Sequence, residues 1–128
     1  MELEIIKYIK MCDCPEVQEQ WKPKFCDAFC KRSDGIVVHY LCNVEEWEPR
    51  AQDLKFYVWL PHQGQIQEMM PQCNCAICLT EEFYRFFENN LDGLCDAGIE
   101  TLEQMWLAFY MHEKHNKVWD GEKWVKGK

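Results

Sequence analysis

The sequence lacks the long apolar run and the basic excess that would indicate a membrane protein or a general nucleic-acid-binding protein. No stretch of the 128 residues approaches the roughly 18 consecutive apolar residues that a membrane span needs. The 22 acidic and 14 basic side chains give a net charge of -8, which offers no general attraction to phosphate backbones or anionic lipid. Residues 1–4 are acidic where a secretory signal would be basic. We therefore expect a cytoplasmic protein without a membrane partner and without general nucleic-acid binding.

The motifs of common catalytic sites are missing as well. The glycine-rich loops GxGxxG and GxxxxGK[ST], which bind phosphates, do not occur, and neither does the GxSxG turn of serine hydrolases. His112 and His115 have Glu113 between them, but zinc proteases need a different spacing. The sequence therefore favours a binding protein over an enzyme. A site built from these histidines and nearby carboxylates is the enzymatic alternative.

The nine cysteines are the most unusual feature of the composition. An odd number without a secretory signal argues against a full disulfide framework. Cys75 and Cys78 have the CxxC spacing that lets two thiolates reach one tetrahedral ion, and Cys73 is the candidate third ligand of a structural zinc site. The candidates for the fourth ligand are Cys12, Cys14, His62 and Cys95. The alternative is that these thiols are buried or free, since unpaired cysteine is among the most buried residue types.

The first half of the chain carries most of the strand signals. We expect a strand over 3–11, a short helical turn over 15–20, a β-hairpin over 25–41 and a buried strand over 54–60. Proline at the start of a helical turn loses nothing by lacking an N–H. The Asp-Gly pair of the hairpin supplies the positive φ that a tight turn needs, and the β-branched residues after it favour a strand.

The second half carries the helix signals. The apolar spacing predicts a helix over 63–70 and another that begins at Thr80, whose hydroxyl can cap the N-terminus, and ends at Asp92-Gly93. A third helix begins with the capping box of residues 101–104 and ends at Asn116.

A small hairpin around Asp120-Gly121 is expected after the last helix. Together these signals predict an α+β fold, in which a small antiparallel sheet of about three to five strands packs with three helices. The length and the absence of a linker indicate one globular domain over residues 1–128.

Several aromatic residues are candidates for a binding surface. Trp47 and Arg50 lie in a polar segment that Pro49 interrupts, and Trp119 and Trp124 lie close together near the end of the chain. Flat rings give much contact area at a small cost in entropy, which favours ligand or partner binding. The alternative for at least two of these tryptophans is core packing.

Several short segments form a distinctive set. They are YIKMCDCPEVQ at 8–18, WKPK at 21–24, WLP at 59–61, QIQEM at 65–69, MWLAF at 105–109 and KVWDGEKW at 117–124. The set resembles small uncharacterised proteins of phages and prophages in Gram-positive bacteria. The chain departs from these proteins at Cys26-Asp27, where they tend to have Gly-Asp.

This resemblance implies an accessory role in the cytoplasm of an infected bacterial cell. Small phage proteins without catalytic motifs commonly act by stoichiometric binding. We therefore expect a non-enzymatic binding protein, a host-defence antagonist that sequesters a host protein or a small nucleotide ligand, in a role compatible with a homo-oligomer. No cofactor is expected unless zinc is bound. The alternative is a zinc-stabilised interaction or regulatory domain built on Cys73, Cys75 and Cys78.

Overall fold

A computed structural model of the protein describes residues 2–24, 26–32, 37–41, 56–70 and 75–127. In this part of the chain five helices accompany a three-stranded and a two-stranded antiparallel sheet. The predicted α+β fold is therefore confirmed, with two further helices and with the strands divided between two sheets. The chain forms two compact units, 1–62 and 63–128, and the single domain over the whole chain stays a prediction.

The first unit contains two helices and the three-stranded sheet. Its elements are α1 (Glu2–Cys12), α2 (Pro15–Gln18), β1 (Ala28–Lys31), β2 (Val38–Tyr40) and β3 (Tyr57–Trp59). Strand β1 lies in the centre and pairs antiparallel with both neighbours. The predicted helical turn, the strands of the hairpin and the third strand are confirmed, while the Asp34-Gly35 turn lies outside the described residues.

The strand predicted over residues 3–11 is wrong, because this segment forms α1. Glu4 lies near the positive end of the helix and Lys10 lies in its last turn, so these charges oppose the helix dipole. Met11 and Cys12 are fully buried at the end of the helix. The Tyr8 hydroxyl donates a hydrogen bond to the carbonyl of Pro61. These contacts outside the segment fix a helix that its ambiguous apolar spacing does not reveal.

The side chain of Gln18 attaches α2 to the free edge of β3. Its Nε2 donates to the carbonyls of Cys12 at 2.8 Å and Trp59 at 3.0 Å, and its Oε1 accepts from the Trp59 N–H at 2.8 Å. The side chain thus satisfies both backbone groups of Trp59 as a neighbouring strand would. The Trp59 ring stacks on Trp21 with 6.3 Å between ring centroids, so polar and aromatic contacts converge on this strand.

Cys26 adopts an unusual backbone conformation immediately before the sheet. Its φ of 70° lies in the left-handed region, which favours glycine. Its N–H donates to the Leu41 carbonyl at 2.7 Å, and the Leu41 N–H donates to the Asp27 carbonyl at 2.9 Å. The chain therefore has a cysteine in a glycine-type conformation at this position.

The second unit contains three helices and the two-stranded sheet. Its elements are α3 (Gln63–Glu68), α4 (Ala76–Asp96), α5 (Leu102–His115), β4 (Lys117–Trp119) and β5 (Trp124–Lys126). Helix α5 packs against α3, α4 and β4. The core is aromatic: Phe83 of α4 stacks on Trp106 of α5 at 4.0 Å between centroids, and Phe86 contacts Phe109 at 5.5 Å.

The predicted ends of α5 are confirmed. Thr101 Oγ1 accepts from the Gln104 N–H at 3.1 Å, and Gln104 Oε1 accepts from the Thr101 N–H at 3.3 Å, which completes the capping box. Asn116 ends the helix in the left-handed conformation. The hairpin around Asp120-Gly121 is also confirmed. Among the described residues, α4 is the longest helix, and neither it nor any other is apolar enough over a sufficient length to span a membrane.

The predicted ends of α4 are wrong. The helix begins at Ala76, and the Thr80 hydroxyl donates to the Ala76 carbonyl at 2.7 Å from inside the helix instead of capping its first turn. Asp92-Gly93 does not end the helix, which continues to Asp96. Leu94 and Ala97 are buried beyond the glycine, so packing contacts carry the helix through a segment of low helix propensity.

Candidate ligand-binding cavity

A kink in α4 shapes the candidate site. Asn90 has non-helical backbone angles, φ -126° and ψ 16°, within an otherwise continuous helix. Its side-chain Nδ2 donates to the Phe86 carbonyl at 2.7 Å, which satisfies a carbonyl at the break. Asparagine favours this arrangement, because its short amide competes for backbone hydrogen bonds. The break falls in the polar segment 88–92.

A cavity of about 480 Å³ lies at this kink, within the second unit. It is lined by residues 86 and 88–94 of α4, by Ala108 and His112 of α5, and by residues 117–119 of β4. Small-molecule sites in proteins typically measure roughly 300–1,000 Å³ and combine apolar walls with a few polar groups. The size and the mixed lining of this cavity both fit that description.

Trp119 is the most informative residue of the lining. It is only 3% exposed, and its indole Nε1 is buried without a hydrogen-bond acceptor among the described residues. Leaving a buried donor unsatisfied costs about 1–3 kcal/mol. Its ring packs at 63° to the ring of Trp124, with 5.1 Å between centroids. Trp119 therefore lines the cavity and also carries a buried donor that has no acceptor among the described residues.

The titratable residues that line the cavity have mixed sign. Glu88 and Asp92 are exposed carboxylates on α4, while His112 and Lys117 are half-buried. These side chains can accept hydrogen bonds from hydroxyl or amino groups and donate to acceptors. The cavity thus offers hydrogen-bonding groups beside aromatic surface.

The two histidines of α5 do not come together. His112 lines the cavity, lies 4.8 Å from the Phe86 ring and places its Nδ1 3.4 Å from Glu113 Oε1. His115 instead lies 3.2 Å from the Tyr110 hydroxyl and is not part of the lining. His112 and His115 are therefore not positioned for shared acid–base chemistry.

The structure brings together two of the four residues predicted for ligand or partner binding. Trp119 and Trp124 are directly opposite each other in the β4–β5 pair, and Trp119 lines the cavity. Trp47 and Arg50 lie outside the described residues. Sequence reasoning missed Asn90 and the carboxylates on either side of it. The signal that could have found them is the run of polar residues over 88–92, whereas the sequence prediction uses only Asp92-Gly93, as the end of the helix.

Of the predicted zinc ligands, Cys75 and Cys78 lie together at the start of α4, and both are exposed. Interactions with the backbone N–H groups of Cys78 and Ile77, and with the Cys78 thiol, lower the pKa of the Cys75 thiol. Cys73 lies outside the described residues. A group of three metal-ligating side chains does not occur in the described part of the chain. The zinc site at Cys73, Cys75 and Cys78 therefore stays a prediction.

The candidates for a fourth zinc ligand are divided between the two units. Cys95 lies in the same helix, about 30 Å away at about 1.5 Å of rise per residue, which is too far to share an ion. Cys12, Cys14 and His62 belong to the first unit. Burial raises the pKa of the Cys12 thiol well above its ordinary value, so this side chain is a poor source of thiolate.

Comparison with known proteins adds no relative. No protein-family model matches the chain, and no curated protein or solved structure matches it with significance.

Proposed function

We propose that this chain is a non-enzymatic binding protein that holds a small polar aromatic ligand in the cavity at the α4 kink. The observation that carries the proposal is the buried N–H of Trp119, which has no acceptor among the described residues and belongs to a residue that lines a cavity of about 480 Å³. Native proteins satisfy most of their buried donors. A ligand with a hydrogen-bond acceptor would satisfy this one.

The remaining lining residues support binding better than catalysis. The wall combines aromatic surface from Phe86 and Trp119 with hydrogen-bonding groups on α4 and β4. A nucleophile paired with a base is not found among the described lining residues, and His115 contacts Tyr110 instead of His112. Recognition of a planar molecule with polar edges is the activity that these groups support.

The biological role rests on the resemblance to phage and prophage proteins. A small protein that holds its ligand without converting it acts by stoichiometry, so it lowers the free concentration of the ligand. This mode of action suits an antagonist of a host-defence signal. The host-protein partner and the homo-oligomer stay predictions, and two of the four predicted binding residues, Trp47 and Arg50, lie outside the described residues.

The test is a fragment screen read out at Trp119. The indole N–H resonance of Trp119 is followed by ¹H–¹⁵N NMR while aromatic fragments of about 100–250 Da are added at about 1 mM. Assignment uses Trp119→Phe, which keeps a ring and removes the donor. We expect acceptor-bearing fragments to move the resonance, because a new hydrogen bond changes the environment of this proton.

A second pair of variants tests the location. Gly93 lines the cavity, and a Cβ added there meets no other atom within 4 Å. Gly93→Trp is therefore expected to occupy the cavity and abolish fragment binding, whereas Gly93→Ala is expected to preserve it. The proposal is overturned if no fragment moves the Trp119 resonance, or if Gly93→Trp binds the fragments as well as Gly93→Ala does.

A further inference from the structure

The charges of the cavity wall restrict the class of ligand. The lining residues include two carboxylates, those of Glu88 and Asp92, and one ammonium group, that of Lys117. His112 has a carboxylate neighbour of its own, with 3.4 Å between its Nδ1 and Glu113 Oε1. The whole chain carries a net charge of -8. An anionic ligand would therefore meet a negative wall on a negative protein.

We infer that the ligand is an uncharged, nucleoside-like molecule rather than a phosphorylated nucleotide. The inference rests on the proposed function and names the ligand class of the same cavity. The indole donor and the two carboxylates each have a matching group on a nucleoside. A phosphate dianion would be attracted by only one ammonium group and repelled by two carboxylates.

The buried donor and the carboxylates act on different parts of such a ligand. Trp119 offers an N–H to a ring nitrogen or carbonyl oxygen of the base, and its ring contributes aromatic surface. Glu88 and Asp92 lie on either side of the kink at Asn90 and accept from ribose hydroxyls, as carboxylates do in dinucleotide sites. A base with one hydrogen-bond acceptor and a ribose with two hydroxyl groups would therefore match all three side chains, those of Trp119, Glu88 and Asp92.

The available space agrees with this size of ligand. The cavity of about 480 Å³ accommodates a base and a sugar.

The experiment compares nucleosides with their phosphates under one readout. Adenosine, guanosine and their 5′-monophosphates are titrated into the protein at low ionic strength, and the Trp119 indole resonance gives each Kd. We expect at least one nucleoside to bind about tenfold more tightly than its monophosphate, which corresponds to about 1.4 kcal/mol. Added salt is expected to narrow this difference, because screening weakens repulsion between exposed charges.

Charge-neutralising variants test the cause of the preference. The double variant Glu88→Gln/Asp92→Asn is expected to reduce the nucleoside preference to about threefold or less. The control Asp96→Asn changes an exposed carboxylate on the same helix that does not line the cavity, and it is expected to keep the preference. A preference unchanged in the double variant, or a monophosphate that binds the original protein as tightly as its nucleoside, overturns the inference.

The failure of this inference is distinguishable from the failure of the proposed function. If other aromatic fragments move the Trp119 resonance while all four probes leave it unmoved, the nucleoside-like class is wrong and small-ligand binding stands. If no compound moves the resonance, both are wrong.

Discussion

The hydrogen bonds of Gln18 lead to a quantitative prediction about the first unit. We expect Gln18→Met to lower the free energy of unfolding by about 2–4 kcal/mol. Methionine preserves the length of the side chain but removes the hydrogen bonds to Cys12 and Trp59, which measure 2.8, 3.0 and 2.8 Å. The cost is large for one partly exposed residue because Trp59 is only 4% exposed, so its backbone groups cannot readily bond to water instead.

The magnitude follows from the number of bonds. A typical hydrogen bond contributes about 0.5–1.5 kcal/mol net, and a buried backbone group left without a partner costs about 1–3 kcal/mol. The gain in helix propensity or apolar contact from methionine is smaller, at a few tenths of a kcal/mol. The loss of the bonds therefore dominates the expected change.

Urea unfolding followed by far-UV circular dichroism measures the difference. The matched control is Gln20→Met, which makes the same chemical change at an exposed position two residues further along. We expect the control to change the free energy of unfolding by less than about 0.5 kcal/mol. Equal effects of the two substitutions would refute the reasoning, since they would show that the bonds to Trp59 contribute nothing measurable.

A charged replacement gives an independent check. Gln18→Glu preserves the acceptor for the Trp59 N–H, but it places carboxylate oxygens against the carbonyls of Cys12 and Trp59. We expect this variant to be the least stable of the series at neutral pH and to recover partly in acid, because a protonated carboxyl can donate again. A stability difference that does not depend on pH would count against this explanation.

Three further predictions concern other positions. Cys26→Gly is expected to raise the free energy of unfolding by about 0.5–1 kcal/mol in urea titrations, because glycine adopts the positive φ without strain; a decrease would contradict this. Iodoacetamide is expected to modify Cys75 much faster than Cys12, as measured by peptide mass spectrometry. The neighbouring N–H of Cys78 lowers the pKa of the Cys75 thiol, whereas burial raises the pKa of the Cys12 thiol. Comparable rates of modification would contradict this prediction. Two backbone N–H groups of the hairpin turn, each 2.8 Å from Asp120 Oδ1, lower the pKa of this carboxyl. The ionised carboxylate therefore stabilises the hairpin fully above the ordinary aspartate pKa, and this stabilisation is lost as the pH falls through the lowered pKa. NMR of the hairpin amides should therefore show an acid transition that Asp120→Asn removes.

The elements that the sequence predicts well have their determinants within a few residues. The capping box needs only Thr101 and Gln104, and both of its hydrogen bonds form. The turn of the last hairpin needs only Asp120-Gly121, where Gly121 has φ 108°. A signal of this kind is visible in the sequence because the atoms that it brings together are adjacent along the chain.

Helix α1 could not be predicted in this way. The apolar residues of segment 3–11 fit neither a period of two nor one of 3.6. Met11 and Cys12 are buried at the end of this helix. The Tyr8 hydroxyl donates a hydrogen bond to the carbonyl of Pro61, which lies 53 positions further along the chain. When the local pattern is ambiguous, such distant contacts decide between helix and strand.

The candidate site illustrates a third case, in which the sequence signal is wrong about where the helix ends. Asp92-Gly93 predicts the end of the helix, whereas the helix is kinked at Asn90 and continues to Asp96. The signal does not show that the helix resumes, because resumption depends on the burial of Leu94 and Ala97. A break followed by more helix produces a concave kink, whereas a simple end would produce a loop.

The sequence predicts the aromatic pair Trp119 and Trp124 as binding residues, but only the three-dimensional arrangement places Trp119 in the cavity at that kink, with its N–H lacking an acceptor among the described residues. The binding proposal therefore depends on tertiary packing at two places, the continuation of α4 and the docking of β4, and neither leaves a local pattern in the sequence.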